Sequence, residues 1–466
     1  MIFNFEAFDP ENPALLTENE SISYGRLNAE ISELGRIIGE RKLVFCFTDN
    51  SPGALIGHLG SINHNHVPLL LSAKLDRELA DELIRSYKPD WLWLPDSLIS
   101  NYPDWSPQVR SRGYALLGGP YRNEYPLNAD LAMLLPTSGS TGSPKLVRHT
   151  YENLRSNIAA IVEYLKVQPD HIAITSLPMN YTYGLSVIHI HLWVGASVIM
   201  TNLGVMQKEF WDLAHKYKAT SLSGVPYTWE MLTRLGIMKM DLPDLIYCDQ
   251  AGGKLAPKLQ ERLIDWASAN GKTFTVMYGQ TEASPRMGYL PWEKAKEKYG
   301  SMGVPVPGGR FRLIDDDGAE ITANDTVGEL IYEGPNVTPG YATRGEDLIN
   351  SDERNGILHT GDMAKKDNDG FYTIVGRKAR FLKIFGNRVN LDDLERMLRV
   401  AFPTADFACG GVDDALWVYV VNGAEDKVYK EFLSEKTGLN QSAFHIKRLD
   451  AIPRNESGKI KYNELK

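Results

Sequence analysis

The chain has 466 residues, 43% hydrophobic and 23% charged, a balance typical of a soluble globular protein with apolar material for more than one core. Its formal net charge of -9 argues against nucleic acid or an anionic membrane as the main partner, since both call for a basic field. Cys46, Cys248 and Cys409 form no CxxC pair, so neither a disulfide framework nor a structural zinc site is expected, and a reducing, cytoplasmic setting fits. The first residues lack a basic segment followed by an apolar run, and no apolar stretch is long enough to span a bilayer. Neither a signal peptide nor stable membrane insertion is expected.

Helix and strand signals alternate through the first two-thirds. Leu27, Ile31, Leu34 and Ile38 fall at helical spacing, and 43–47 then reads as a buried strand. A second helical pattern over 76–87 is followed by a strand at 91–94. The strand predicted at 131–135 runs into a polar, glycine-containing loop, and Leu154, Ile158, Ile161 and Leu165 mark the next helix. Further strands are predicted near 172–177, 197–201, 245–248 and 273–277, with helices between them. Such alternation predicts parallel sheets covered by helices. After about Gly300, short β-type segments at 310–314, 328–332 and 370–375 predict a β-rich subdomain. A third piece from Arg377 carries a helix at 391–400, a strand at 416–421 and a basic tail. Histidines 58, 64 and 66 are irregularly spaced and have no partner carboxylates, so they read as surface or core residues, not ligands.

The loudest local signal is Pro136-Thr137-Ser138-Gly139-Ser140-Thr141-Gly142-Ser143-Pro144-Lys145. Glycines let backbone approach phosphate oxygens, hydroxyls and N–H groups donate, and one lysine adds charge. It is no Walker loop, because Pro144 precedes Lys145, and no nucleophile elbow, because Ser140 lacks the flanking pattern. A Ser/Gly-rich amidase loop or a surface loop remains open on these residues alone. Tyr278-Gly279-Gln280-Thr281-Glu282 offers an aromatic, a hydroxyl and a carboxylate for a base, a phosphate and Mg²⁺. Thr360-Gly361-Asp362 places an acid where ribose hydroxyls can be bound. Near the end, Pro453-Arg454-Asn455-Glu456-Ser457-Gly458-Lys459 sets a lysine after a glycine turn.

Taken with Gly252-Gly253, Gly328-Glu329-Leu330, Gly340-Tyr341, Gly376-Arg377 and Lys383-Ile384-Phe385-Gly386, this ordered set resembles the adenylate-forming superfamily. That superfamily includes acyl-CoA synthetases, adenylation domains of nonribosomal peptide synthetases and luciferase-type enzymes. The matches run in order over nearly the whole chain. The resemblance implies an α/β protein: a large N-terminal domain, 1–376, of helix-covered parallel sheets plus the small β-rich subdomain, then a small mobile α+β C-terminal domain, 377–466. It implies ATP and Mg²⁺ as cofactors. Thr137, Ser138, Gly139, Ser140, Thr141, Gly142 and Lys145 would wrap the β- and γ-phosphates. Thr281 would meet the α-phosphate and Glu282 the metal; Tyr278, Gly279, Gly252 and Gly253 would hold adenine, and Asp362 and Arg377 the ribose. Lys459 is similar to the lysine that bridges the acid carboxylate and the α-phosphate, and Gly386 to the glycine of the thiol tunnel. The acid pocket would draw on Tyr181, Tyr183, Gly224, Val225, Cys248, Gln250, Ala251, Met277 and Arg286.

The expected partners are a small carboxylic acid and then CoA or a phosphopantetheinylated carrier protein. The short C-terminal piece leans toward the carrier. An acyl-AMP ligase with a non-thiol acceptor and a non-catalytic nucleotide-binding relative are the alternatives. Four departures stand out. Ala379 sits at a hinge position that usually carries a charge, and Tyr181 stands where many acyl-CoA synthetases have histidine. The segment 177–185 lacks the aspartate that pairs with an α-amine, which disfavours a free α-amino acid. The chain is also short for the family. Arg286 is expected in a structural salt bridge, a second carboxylate being its other reading.

Overall fold

The computed structural model describes residues 1–122, 124–136, 145–384, 387–412, 414–454 and 460–465. The chain divides into two compact units, one of residues 1–310 and 333–358 and the other of 311–332 and 359–466. The boundary expected at 376/377 lies at the end of the strand Tyr372–Arg377, inside the second unit.

Among the described residues the first unit holds a nine-stranded and an eight-stranded sheet. Both have parallel centres, as the strand–helix alternation predicts, and both are finished by antiparallel strands at their margins. The strand Leu43–Thr48 shows why the centre is parallel and fully covered. Val44 and Cys46 point into one core with Leu27, Ile31 and Leu34, while Leu43, Phe45 and Phe47 point into another with Leu83 and Tyr87. The first of these cores also takes Leu15 and Val198 from the nine-stranded sheet, so its helices are shared by the two sheets. Two of them, Pro52–Asn63 and Thr182–Val194, are buried nearly all round, which suits a helix closed in on every side. The helix Tyr151–Leu165 begins at a capping box in which Thr150 and Asn153 satisfy each other's backbone N–H groups. The strand expected at 245–248 forms at Tyr247–Gln250, shifted toward the site, and that expected at 172–177 stops at Ile174, where loop begins.

The second unit carries a four-stranded sheet in the order Arg310–Ile314, Gly328–Glu333, Ile357–Lys366, Tyr372–Arg377. A two-stranded ribbon, the helices Leu391–Ala401 and Asp426–Thr437 and a three-stranded sheet complete it, around a core of Leu394, Leu398, Phe407, Val418 and Tyr429. Buried Glu395 is its polar hub: it accepts from Arg380, Arg399, the Cys409 N–H and the Tyr462 hydroxyl. Among the described residues no helix is long and apolar enough to cross a membrane.

His58, His66, His149, His189 and His191 are all buried. His58 pairs with His189, not with His64 or His66: their Nε2 atoms lie 2.8 Å apart, so one donates and the other accepts. His191 Nε2 meets the Tyr247 hydroxyl at 3.0 Å. Burial holds all five neutral, lowering their pKa from 6.5 to about 3 for His58 and His149, to about 4 for His66 and His191, and well below 6.5 for His189. The unfolded chain therefore binds more protons than the folded one below pH 6.5, and stability is lost as pH falls from there toward 4. Each such histidine contributes up to about 1.4 kcal/mol per pH unit across that window. The denaturant midpoint of unfolding is expected to be clearly lower at pH 5 than at pH 7; an unchanged midpoint would contradict this reading of the core.

Candidate functional site

Four neighbouring parallel strands of the nine-stranded sheet, Ile172–Ile174, Ser221–Gly224, Tyr247–Gln250 and Thr273–Gly279, end on the same edge. Each of these ends runs into a segment singled out from the sequence: 177–183, Gly224-Val225, Ala251 to Gly253, and Tyr278 to Glu282. Crevices at the carboxyl ends of parallel strands are where open α/β sheets bind ligands.

The segment after Thr273–Gly279 turns back at once into the antiparallel strand Arg286–Tyr289. A side chain at Gly279 would overlap the Pro285 carbonyl, so only glycine fits. Thr281–Ala283 forms a 3₁₀ turn, which no regular ladder can pair, and its carbonyls are satisfied from elsewhere. Glu282 O accepts from Thr338 N and Oγ1 at 2.9 and 3.0 Å. Asn336 Nδ2 donates to Ala283 O at 2.7 Å and to Arg286 O at 2.9 Å, and Asn157 Nδ2 also donates to Arg286 O. His149 Nδ1 is hydrogen-bonded to Ser284 Oγ at 2.8 Å. The two hydroxyls of Thr281 and Thr182 meet at 2.9 Å.

The Glu282 side chain is half-buried, and its Oε1 accepts the Tyr341 hydroxyl at 2.8 Å. Burial first, and the Glu282 charge second, push that phenol up to about 12, so it stays a donor. Lys145 Nζ lies 5.6 Å from the centre of the Tyr341 ring, and Arg354 Cζ lies 4.7 Å from it. Tyr341 thus joins Lys145, at the end of the glycine-containing loop, to Glu282. Gly340-Tyr341 is among the sequence matches, but no spacing foretells a hydroxyl that reaches a carboxylate 59 residues upstream. Thr137, Ser138, Gly139, Ser140, Thr141, Gly142, Gly386 and Lys459 lie outside the described residues.

Gly252 has φ +85, and a Cβ there would stand 2.5 Å from the Tyr181 hydroxyl and 3.3 Å from Val225 Cγ1. It needs glycine for both conformation and space. Tyr181 therefore sits over the Gly252 backbone. Tyr278 is half-buried at its strand end, and Gly253 is exposed beside Pro226. Tyr181, Tyr183, Val225, Ala251 and Met277 meet in one cluster with Leu177 and Val187. At Gly224 a side chain would press on Trp229 Nε1. Cys248 and Gln250 are buried on the opposite face of their strand from Asp249, and Gln250 Nε2 donates to Gly253 O. Asp249 is the residue of that strand that reaches the cluster: it accepts from the Tyr183 hydroxyl, and from Ser223 Oγ at 3.0 Å. Burial raises its pKa. The signal for Asp249 was a charge inside an apolar strand, on the face shared by period-two alternation with Ala251. Arg286 is 1% exposed, with its guanidinium 4.2 Å from the centre of the Tyr183 ring. No carboxylate pairs with it in a salt bridge among the described residues.

In the second unit Asp362 is buried and Arg377 exposed; they lie opposite each other in adjacent strands, and Arg377 Nε meets Asp362 Oδ1 at 2.7 Å.

Glycine backbone, an oriented carboxylate and a lysine thus meet at the carboxyl ends of parallel strands in an α/β protein. The chain belongs to the AMP-binding enzyme family, whose model matches residues 4–342. A long-chain-fatty-acid–CoA ligase of Yersinia pestis is 30% identical over 360 residues, 73% of this chain and 62% of that protein. The chain thus spans under two thirds of the length of the long-chain ligases it matches. A 2-succinylbenzoate–CoA ligase of Bacillus cereus (strain Q1) is 26% identical over 98% of this chain and 96% of that one. The o-succinylbenzoate coenzyme A synthetase of Bacillus subtilis, solved in complex with AMP, matches in fold with a TM-score of 0.79 at 20% identity, over 99% of this chain and 97% of that one. The same enzyme in complex with ATP and a magnesium ion matches with a TM-score of 0.78.

Replacing Asn336 by Ala strips the buried Ala283 carbonyl of its donor, a loss of about 1–3 kcal/mol. Asn336→Asp should cost more, because a carboxylate then faces two carbonyl oxygens. Thermal unfolding and amide exchange at 280–286 read the effect; exchange unchanged in both variants would show that the turn does not depend on this side chain.

Proposed function

We propose that this chain is a cytoplasmic ATP-dependent enzyme that adenylates a small carboxylic acid and passes the acyl group to a phosphopantetheine thiol. In the first step a carboxylate oxygen attacks the α-phosphorus of ATP, forming acyl-AMP and releasing pyrophosphate. In the second a thiolate sulfur attacks the acyl carbonyl, forming the thioester and releasing AMP. The names of the relatives favour CoA as the thiol; a carrier protein is the other arm of the test.

The observation that carries this reading is the Lys145–Tyr341–Glu282 arrangement at the carboxyl ends of the parallel strands. A half-buried carboxylate with one oxygen fixed by a phenol, beside the Thr281 hydroxyl, is a hard-oxygen donor set that suits Mg²⁺. Glu282 would hold that ion, which offsets negative charge on the phosphates when bound. Lys145 supplies a fixed positive charge to the same oxygens, and Thr281 donates to the α-phosphate. These groups stabilise charge that develops as the pyrophosphate leaves. Gly252 and Gly253 let backbone approach the base, and Tyr181, Tyr183, Val225, Ala251 and Met277 enclose the acid. The ribose roles of Asp362 and Arg377, the lysine role of Lys459 and the tunnel role of Gly386 rest on the family resemblance. So do the moving boundary at 376/377 and the hinge at Ala379.

Pyrophosphate exchange across a panel of carboxylic acids tests the reading. Glu282→Gln and Lys459→Ala are each expected to lower exchange by about 10²–10³-fold while the fold survives. Tyr341→Phe should act more mildly and raise the Mg²⁺ concentration needed for half-maximal exchange. AMP release with CoA, with a carrier protein or with amines then identifies the acceptor. Exchange with no acid in the panel would leave a non-catalytic nucleotide-binding protein, and near-normal exchange by Lys459→Ala would remove that lysine from the chemistry.

A further inference from the structure

Beside the cluster of Tyr183 and Met277 lies a buried charge that its neighbours leave incompletely engaged. Arg286 lies among Met277, Tyr183 and Ser186, wholly inside the first unit. Its Nη1 donates to Ser186 Oγ at 2.9 Å, and its Nε faces the soft sulfur of Met277 at 3.3 Å, a weak acceptor. Its Nη2 is buried and has no hydrogen-bond partner among the described residues. The other arginine of that unit with equally deep burial is treated differently. Arg148 gives Nη1 to the Asn350 and Ser351 carbonyls and Nη2 to the Pro339 carbonyl and to Glu353. Arg148 is engaged at both terminal nitrogens, and its buried Nε is the atom left without a partner among the described residues. Arg286 is engaged at one, by the Ser186 hydroxyl, and the Tyr164 hydroxyl, which donates to Met277 Sδ, also interacts with the guanidinium.

The carboxylate whose field reaches Arg286 is Asp249, and it is already occupied. Its two oxygens accept the hydroxyls of Tyr183 and Ser223, and among the described residues it forms no ion pair with Arg286. Tyr183 stands between the two, with its hydroxyl on Asp249 and its ring under Arg286. The cluster is therefore apolar on one side, with Val225, Ala251 and Met277, and ends in a guanidinium with a donor to spare. A buried unpaired N–H of a cation is costly and calls for an explanation, and at a terminal nitrogen beside an apolar cluster an incoming acceptor is one.

Resting on the adenylation reading, we infer that the acid activated here carries an oxygen acceptor, a second carboxylate or an oxo group, at the end remote from the reacting carboxylate, and that Arg286 binds it. A plain alkyl tail would leave the Nη2 donor unpaired in apolar surroundings. A distal oxygen would satisfy it and fix the acid's register, so that the reacting carboxylate is held at one depth. A carboxylate would also supply the negative charge that Asp249 withholds from Arg286.

The test is pyrophosphate exchange by the wild-type protein with three acids of matched length: alkyl, ω-oxo and dicarboxylic. The oxygen-bearing acids are expected to exceed the alkyl acid in kcat/KM by about tenfold or more, because a site with a buried donor rejects the analogue that lacks the acceptor. A dicarboxylic acid ahead of the oxo acid assigns the partner as a carboxylate; the reverse order assigns it as a carbonyl. Arg286→Met should cut kcat/KM for the oxygen-bearing acids about tenfold more than for the alkyl acid, mainly through KM. Arg286→Lys should recover the dicarboxylic acid better than the oxo acid, since it restores charge without the planar fork. Protection of each variant by ATP against thermal unfolding shows that it is folded. An alkyl acid equal to or better than both oxygen-bearing acids in the wild type overturns the inference without any variant. So does an Arg286→Met effect that is the same for all three. No exchange with any acid, here or in the wider panel, sinks the adenylation reading itself, an outcome distinct from both.

Discussion

The turn that presents Thr281 and Glu282 cannot be held by its own strand. Thr281–Ala283 has left the ladder of Thr273–Gly279 and has not joined that of Arg286–Tyr289, so the Glu282 and Ala283 carbonyls have no sheet partners. Groups from far along the chain meet them: Thr338 and Asn336 on these two carbonyls, Asn157 on that of Arg286, and His149 on the Ser284 hydroxyl. His149 and Asn157 come soon after the glycine-containing loop. The others belong to 336–341, which also brings Tyr341 to Glu282. The carboxylate is aimed by the same segment that satisfies the turn beneath it. Its orientation is thus a consequence of tertiary packing, fixed before any nucleotide arrives, which is the condition for electrostatic stabilisation without reorganisation.

Burying polar groups to build that turn is costly unless every one finds a partner, and the first unit meets the cost in two ways. Histidines are kept neutral, His58 against His189 and His149 against Ser284, so that hydrogen bonds are gained without burying charge. Arginines are kept charged, and Arg148 is surrounded by carbonyls and Glu353 for that reason. The second unit solves the same problem with ions: Glu395 is flanked by Arg380 and Arg399, and the Tyr462 hydroxyl completes it. Single unpartnered atoms remain in these groups too, among them His58 Nδ1, His149 Nε2 and Arg148 Nε; Arg286 differs in that the atom without a partner is a terminal guanidinium nitrogen beside Tyr183 and Met277.

The strand–helix alternation was legible because parallel strands buried on both faces must be continuous apolar runs, as 43–47 and 131–135 are. The antiparallel margins were not, since a strand such as Ser106–Ser111 is polar and exposed at an edge and carries no period of its own. Gly252 and Gly279, expected at the adenine site, stand where the backbone calls for glycine: Gly252 has φ +85, and a side chain at Gly279 would overlap the Pro285 carbonyl. Tyr341 and Asn336 were illegible as site residues because what they do is set by where 336–341 docks, and nothing local encodes that. The grouping of the four-stranded sheet with the C-terminal residues is likewise a matter of packing, which the texture of Gly/Asp-rich short strands does not reveal.

The positions expected from resemblance to line the acid pocket include Cys248, Gln250 and Ala251, of which Cys248 and Gln250 belong to the strand Tyr247–Gln250. A strand sends alternate residues to opposite faces, so a stretch of neighbours cannot all line one pocket. The face is decided by Asp249, whose hydrogen bonds to Tyr183 and Ser223 put it with Ala251 and leave Cys248 and Gln250 behind the sheet. An ionisable residue in the middle of a buried strand is tolerated only where something balances it, and here that is two hydroxyls backed by the field of Arg286. The apolar walls of such a pocket limit the size of an acid but discriminate weakly between tails of similar shape; the polar end discriminates strongly, because a wrong tail leaves a donor bare. Under the proposed function, the polar end formed by Asp249, Tyr183 and Arg286, three residues drawn from three elements, would therefore discriminate among acids more sharply than the volume the aliphatic residues enclose.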